Sequence, residues 1–168
     1  VYIYQYEPFT DENKLVQLEK KPTLKLEEPL PKIDGATALY PLYAAITEHV
    51  YPKKEYNPYK SEVMVNQTHE AYTNLIFGNT DMIFAAGPSD AQIKQAEQQG
   101  ITLHLTPSGK EAFVFFVNSK NNVNRLSLDQ IKGIYAGKIT NWSEVGGKDA
   151  AIRAFQRPQD SGSQTALQ

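Results

Sequence analysis

Cysteine is absent from all 168 residues, which excludes disulfides, zinc–thiolate sites and thiol nucleophiles together. An extracytoplasmic protein that folds without disulfides is compatible with that absence. No window of about 18 apolar residues occurs, so nothing in the chain reads as a membrane-spanning helix. Val1 opens no signal peptide, and the missing initiator Met points to a processed or trimmed chain. Lys and Arg total 17 against 19 Asp and Glu, with no basic run, which argues against nucleic acid as a partner. Any anion must be caught by local geometry. No Walker A or Rossmann glycine pattern appears, so no nucleotide cofactor is implied. His49, His69 and His104 form no i,i+4 pair or acid cluster with ligand spacing, so no metal cofactor is implied either.

What is present describes an ordinary globular chain, 40% hydrophobic and 21% charged. Extended and helical patterns alternate, as expected for βαβ units in an α/β fold. Strand candidates are 32–34, 62–66, 81–85, 102–106, 112–118 and 151–155, and helices are expected to start near Ala38, Thr68, Asp90, Ser127 and Ser163. Leu39, Leu42, Tyr43, Ile46 and Val50 fall on one helical face, with Pro41 in the first turn where its missing N–H costs least. Ala71, Tyr72, Leu75 and Ile76 do the same in the second helix. Both stripes read as core. Thr68 and Ser89 are expected caps, Ser127 with Gln130 a capping box, and Gly78 and Gly100 left-handed helix ends.

The segment RPQDSGSQT, Arg157 to Thr165, sets a guanidinium beside hydroxyl and glycine residues at an expected helix start. Unpaired helix N–H groups, hydroxyls and a planar guanidinium together suit an oxyanion. An ordinary capped helix with a surface arginine is the competing reading. A second strand–hydroxyl–helix junction lies far upstream in KIDGATALYPLYAAI, where a short strand runs into Gly35, Ala36 and Thr37. Such junctions gather at the carboxyl ends of strands in open α/β sheets, where these folds bind ligands.

In this order GATALYPLY, the run NSKNNVNRLSLDQIKGIYAGKITNWSEVGG and RPQDSGSQT resemble the phosphate-binding proteins of the periplasmic solute-binding superfamily, type II, the receptors of phosphate-specific ABC transporters. The resemblance covers residues 32–168. It implies a periplasmic-binding-protein-like two-lobed α/β fold, here the first lobe plus the opening part of the second. It implies a non-enzymatic receptor for an oxyanion, inorganic phosphate foremost, with an ABC transporter permease as partner. Carried over residue by residue, the ligand set is Thr37, Ala38, Thr68, Asp90, Arg157, Ser161, Gly162 and Ser163. The family usually has an aromatic where Ala38 stands, and an acid where Gln159 stands. Asp90 occupies the other acidic position once the short insertion AAGP is allowed. A buried carboxylate there accepts the proton that phosphate carries and sulfate lacks.

The expected organisation is an arm at 1–31, a first α/β lobe at 32–111, and a crossover with an incomplete second lobe at 112–168. The arm reads either as a tether, leading to a membrane anchor and an extracytoplasmic location, or as a segment packed on its own domain. A lobe that stops at Gln168 is expected to favour swapping or association through its uncovered core. The alternative function is a membrane-tethered interaction or sensor domain with the same fold and weak or no anion binding. Asp160-Ser161-Gly162 also resembles the nucleophile loop of trypsin-like proteases, but no histidine has the matching context and the alternation is not a double β-barrel. Trp142 and the tyrosines of YPLY and YPKKEYNPY read as core before they read as stacking platforms. Lys53, Lys54 and Lys60 are offset by Glu48, Glu55 and Glu62 and read as a solvated face.

Overall fold

Parallel pairing organises the sheet, as the βαβ pattern requires. The computed structural model describes residues 1–110, 112 and 114–167. Strands β1 (Ile33–Gly35) and β2 (Met82–Phe84) pair in parallel, with Ile33 opposite Met82, Asp34 opposite Ile83 and Gly35 opposite Phe84. On the other side of β1, Val63 makes an isolated parallel bridge to Ile33. The Ile33 N–H donates to Glu62 O at 2.7 Å, and the Met64 N–H donates to Ile33 O at 2.8 Å. β1 is therefore the central position.

Among the described residues five α-helices follow the expected starts closely: α1 (Tyr40–Val50), α2 (Gln67–Ile76), α3 (Asp90–Gln98), α4 (Leu128–Tyr135) and α5 (Gly162–Leu167). A 3-10 turn, Thr37–Leu39, leads into α1. Ser89 and Ser127 each make a full capping box with the glutamine three residues on. Gly78 and Gly100 have φ of 72° and 69°, the left-handed ends their positions predict. None of these helices is long and apolar enough to cross a membrane.

The chain forms two compact units, Val1–Ser108 with Pro158–Gln168, and Gly109–Arg157. In the first, the core joins Ile33, Tyr40, Tyr43, Ala44, Val50, Tyr51, Tyr56, Val63 and Val65. The N-terminal residues belong to it: Pro8, Leu15 and Leu30 are buried, and Ile3, Tyr6, Phe9 and Leu26 pack against it. The Lys25 ammonium donates to His49 O at 2.6 Å, and the Leu18 N–H reaches His49 Nε2 at 3.4 Å. In the second unit the side chain of Asn141 organises a 3-10 turn, Trp142–Val145, accepting from the N–H groups of Ser143 and Ala150. Trp142 is half-buried, and its Cβ and carbonyl oxygen leave no room for a side chain at Gly147.

Several sequence expectations are corrected. The buried face of α1 is Tyr40, Tyr43, Ala44, Thr47 and Val50, while Leu42 and Ile46 are exposed at 47% and 37%. Tyrosine rings bury more area than leucine, so the helix turns them inward, even though the Tyr40 hydroxyl is buried there without a hydrogen-bond partner among the described residues. Tyr43 donates to Met64 O and Tyr51 to Pro31 O, both at 2.8 Å, and Thr47 donates back to Tyr43 O at 2.9 Å. The strand candidate at 62–66 shrinks to the Val63 bridge, since Asn66 turns away to a side-chain partner. The candidate at 151–155 keeps only an antiparallel bridge from Ala151 to Asn141. The described residues of 102–106 and 112–118 form no strand, and Phe113 lies outside the described residues.

Candidate functional site

Three chain junctions meet at the carboxyl end of the parallel pair. The first follows β1. A Cβ on Gly35 would collide with the carbonyl oxygen of Phe84 and come within 3.0 Å of the Tyr43 ring. Glycine is needed here for closeness alone. The Ala36 N–H then donates to Phe84 O at 2.9 Å, tying the exit of β1 to the end of β2. Thr37, half-buried, opens the 3-10 turn, and Ala38 is exposed within it.

The second junction is the start of α2. Thr68 is the second residue of that helix, and the residue before the helix is Asn66. The expectation that Thr68 caps α2 is thereby corrected. Gln67 holds a φ of 67°, a left-handed conformation that a residue with a Cβ adopts at a cost. Asn66 does not cap the helix through its side chain, which instead donates to Asp34 Oδ2 at 2.8 Å.

The third junction combines the exit of β2 with the returning segment at Pro158. Ser89 Oγ donates to Asp160 Oδ1 at 2.6 Å while accepting the Gln92 N–H at 3.2 Å, so one hydroxyl caps α3 and holds the returning chain. Asp160 Oδ2 lies 3.9 Å from His69 Nδ1, an ion pair only when the imidazole is protonated. Asp160 has a φ of 64°. A Cβ built on Gly162 would stand 3.2 Å from Thr68 Oγ1 and 3.4 Å from Ala86 Cβ. The glycine of the DSGS segment thus lies against the Thr68 hydroxyl and the chain leaving β2.

Thr68 and Gly162 are therefore close neighbours, and Thr37 with Ala38 follows the neighbouring strand end. Ser161 Oγ accepts the Gln164 N–H at 3.2 Å, which caps α5, and Ser163 is exposed one turn position later. Helix α5 begins at Gly162, one residue before the expected start. Asp90 is the exposed first residue of α3, immediately after Ser89, which corrects the expectation of a buried carboxylate at this position. Arg157 belongs to the second unit, one residue before the chain re-enters the first.

Burial pushes the Tyr72 phenol up to about 12, and it donates to Ala86 O at 2.7 Å beside this junction. Burial likewise raises the Tyr43 phenol well above its ordinary value, with Asp34 and Tyr40 adding to the effect.

Sequence reasoning missed Asp34. It is fully buried, and its carboxylate accepts four N–H bonds: Gly35 N and Asn66 N on Oδ1, at 2.7 and 2.8 Å, and Asn66 Nδ2 and Asn74 Nδ2 on Oδ2, at 2.8 and 2.9 Å. The signal was an acid ending a short strand directly before the close-packed Gly35.

The phosphate-binding protein PstS of Bacillus subtilis is 31% identical over 147 residues, a match covering 80% of this chain and 43% of that protein. Phosphate-binding protein PstS 2 of Streptococcus agalactiae is 28% identical, covering 67% of this chain and 36% of its own length. The PstS of Borreliella burgdorferi is 24% identical, with coverage of 83% and 48%. The chain thus spans less than half the length of these relatives. No solved structure matches it significantly. The profile of the PBP superfamily domain matches residues 28–168, and the chain accordingly belongs to the periplasmic-binding-protein superfamily, with its α/β fold, as a PstS-like member.

Proposed function

We propose that this chain is the anion-catching part of an extracytoplasmic solute receptor, that its ligand is inorganic phosphate, and that the receptor delivers it to an ABC permease. The observation that carries this reading is the closeness of Gly162 to the Thr68 hydroxyl beside the strand exits, where a side chain at 162 would meet it. It puts a hydroxyl, a bare backbone and the DSGS segment at the end of the sheet where α/β folds take ligands. The names of the relatives support phosphate as the anion.

In this reading Thr37 and Thr68 donate hydroxyl protons, Ala38 and Gly162 donate backbone N–H groups, and Ser161 and Ser163 donate from the DSGS segment. Arg157 neutralises the charge with a two-pronged guanidinium. Asp90 accepts the phosphate proton; exposed at the first position of α3, it lacks the burial on which strong discrimination against sulfate depends. The unit Gly109–Arg157 is the opening of a second lobe. Residues 1–31 pack on the first unit and, in the whole protein, carry it towards a membrane anchor. No cofactor takes part, and no reaction is catalysed.

Titration calorimetry with phosphate, and with sulfate as competitor, tests this on the 168-residue chain and on the longest natural form of the protein. Thr68→Ala should weaken phosphate by roughly 10- to 100-fold, as expected for losing a hydrogen bond to a charged group, and Arg157→Ala should abolish binding. A folded natural form that binds no phosphate overturns the proposal. It would leave the second reading, an interaction or sensor domain, which the Ala38 and Gln159 departures favour.

A further inference from the structure

We propose that Asp34 is a positioning residue for the anion site, a buried carboxylate that fixes the two hydroxyl-bearing junctions relative to each other. The inference rests on the reading of Thr37 and Thr68 as ligands. An ionised carboxylate has about four acceptor positions, and each one at Asp34 is filled by an N–H donor. Those donors come from two places in the sequence. Gly35 leads directly to Thr37, whereas Asn66 and Asn74 sit 32 and 40 residues away, before the first turn of α2 and within its last.

Burying a carboxylate is costly unless it is fully hydrogen-bonded, so its presence at the centre of the sheet calls for a geometric reason. That reason lies at Gln67. Its left-handed φ of 67° persists only if its neighbours hold it. Asn66 is bound to Asp34 by both its backbone and its side chain. The next residue after Gln67 is Thr68. The carboxylate thereby aims the Thr68 hydroxyl through the strained residue between them, while its bond to Gly35 N sets the chain direction into Thr37. A neutral amide at position 34 cannot do this, because its NH2 would face an N–H donor.

The test compares wild type, Asp34→Asn and Asn74→Ala by phosphate calorimetry, with circular dichroism melting to establish the folded fraction. The amide-to-α-proton coupling of Gln67, which reports its φ, is read by NMR without ligand. Asp34→Asn should weaken phosphate by roughly 10- to 100-fold, the range seen when outer-shell groups that orient ligands are removed, and should shift the Gln67 coupling towards helical values. Asn74→Ala keeps the carboxylate and loses one donor, so a smaller loss of a few-fold is expected, and this variant decides the matter if Asp34→Asn does not fold. Ile76→Val, a mild core change in the same helix, should leave affinity unchanged. Folded variants with wild-type affinity and an unmoved Gln67 coupling overturn the inference while leaving the phosphate reading intact. A wild type silent to phosphate overturns the phosphate reading, and with it the role of Asp34 in ligand binding.

Discussion

Ser89 donates its hydroxyl proton to Asp160 at 2.6 Å, across 71 residues of sequence. The same oxygen accepts the Gln92 N–H and so caps α3. One atom therefore serves both a helix start and the seating of the DSGS segment on the first unit. A helix cap is worth about 1 kcal/mol, and the bond to Asp160 adds a charge-assisted contact.

Replacing Ser89 separates those two roles. Ser89→Ala loses both and should cost about 1–2 kcal/mol, with faster hydrogen exchange in α5. Ser89→Asp keeps a good cap but sets a second carboxylate against Asp160. It should hold α3 near wild-type protection while exposing residues 158–163 to protease. Equal protection of that segment in wild type and Ser89→Asp would show that Ser89 does not seat it.

Two glycines next to the site should behave oppositely. In Gly35→Ala the new methyl meets the Phe84 carbonyl, which cannot move without breaking its bond to the Ala36 N–H. Overpacking plus that lost bond should cost about 3 kcal/mol or more in denaturant unfolding. In Gly162→Ala the methyl meets a rotatable hydroxyl at 3.2 Å. Stability should stay within about 1 kcal/mol, while phosphate affinity falls because the Thr68 hydroxyl is pushed aside. A Gly162→Ala protein that binds phosphate normally would remove Gly162 from the site.

The caps and helix starts were legible because they depend on local chemistry: Ser89 and Ser127 each have Gln at the third helical position, and Gly78 and Gly100 close helical stretches. What escaped depends on partners distant in sequence. The inward face of α1 was set by Tyr40 and Tyr43, through the ring area both bury and a Tyr43 hydroxyl that finds the Met64 carbonyl, which no helical period encodes. Thr68 read as a cap because threonine commonly caps, yet the cap position lies two residues upstream at Asn66, which is bound to Asp34. The order of Thr37, Thr68 and the DSGS segment was visible in the chain. The Asp34 network was not, since a lone acid in a short strand gives no hint of two asparagines more than thirty residues away.

Buried phenols should limit stability in alkali. Tyr51 and Tyr72 are pushed up to about 12, and Tyr40 and Tyr43 are raised further, in each case chiefly by burial. The unfolded chain releases these protons near pH 10, about the ordinary tyrosine value. The native protein then holds protons that the unfolded chain has lost, so stability is complete below pH 10 and falls as pH rises towards 12, by ~1.4 kcal/mol per pH unit for each such group. Melting followed from pH 8 to 11 should show a flat region and then a steep fall. Tyr72→Phe should lower stability by about 1 kcal/mol at neutral pH, through the lost bond to Ala86 O, and should make the alkaline fall shallower by one group. An unchanged alkaline slope in that variant would mean that Tyr72 ionises freely in the native state.

Gln67 offers the sharpest contrast between stability and function. At an ordinary exposed helical position such as Lys94, substitution by glycine should cost about 1 kcal/mol. Gln67 is in the left-handed region, where a residue with a Cβ pays roughly 1–2 kcal/mol that glycine does not. The greater freedom of glycine in the unfolded chain offsets part of that relief. Gln67→Gly should therefore equal or exceed wild-type stability by up to about 1 kcal/mol, while Lys94→Gly loses its full amount. Phosphate affinity should move the other way, falling a few-fold, because glycine lets the turn between Asn66 and Thr68 sample conformations in which the hydroxyl points elsewhere. Denaturant melts and calorimetry on the same preparations read both effects. If Gln67→Gly is destabilised as much as Lys94→Gly, the left-handed residue is not strained. If it is stabilised and still binds as tightly as wild type, the Thr68 hydroxyl does not depend on the turn that presents it.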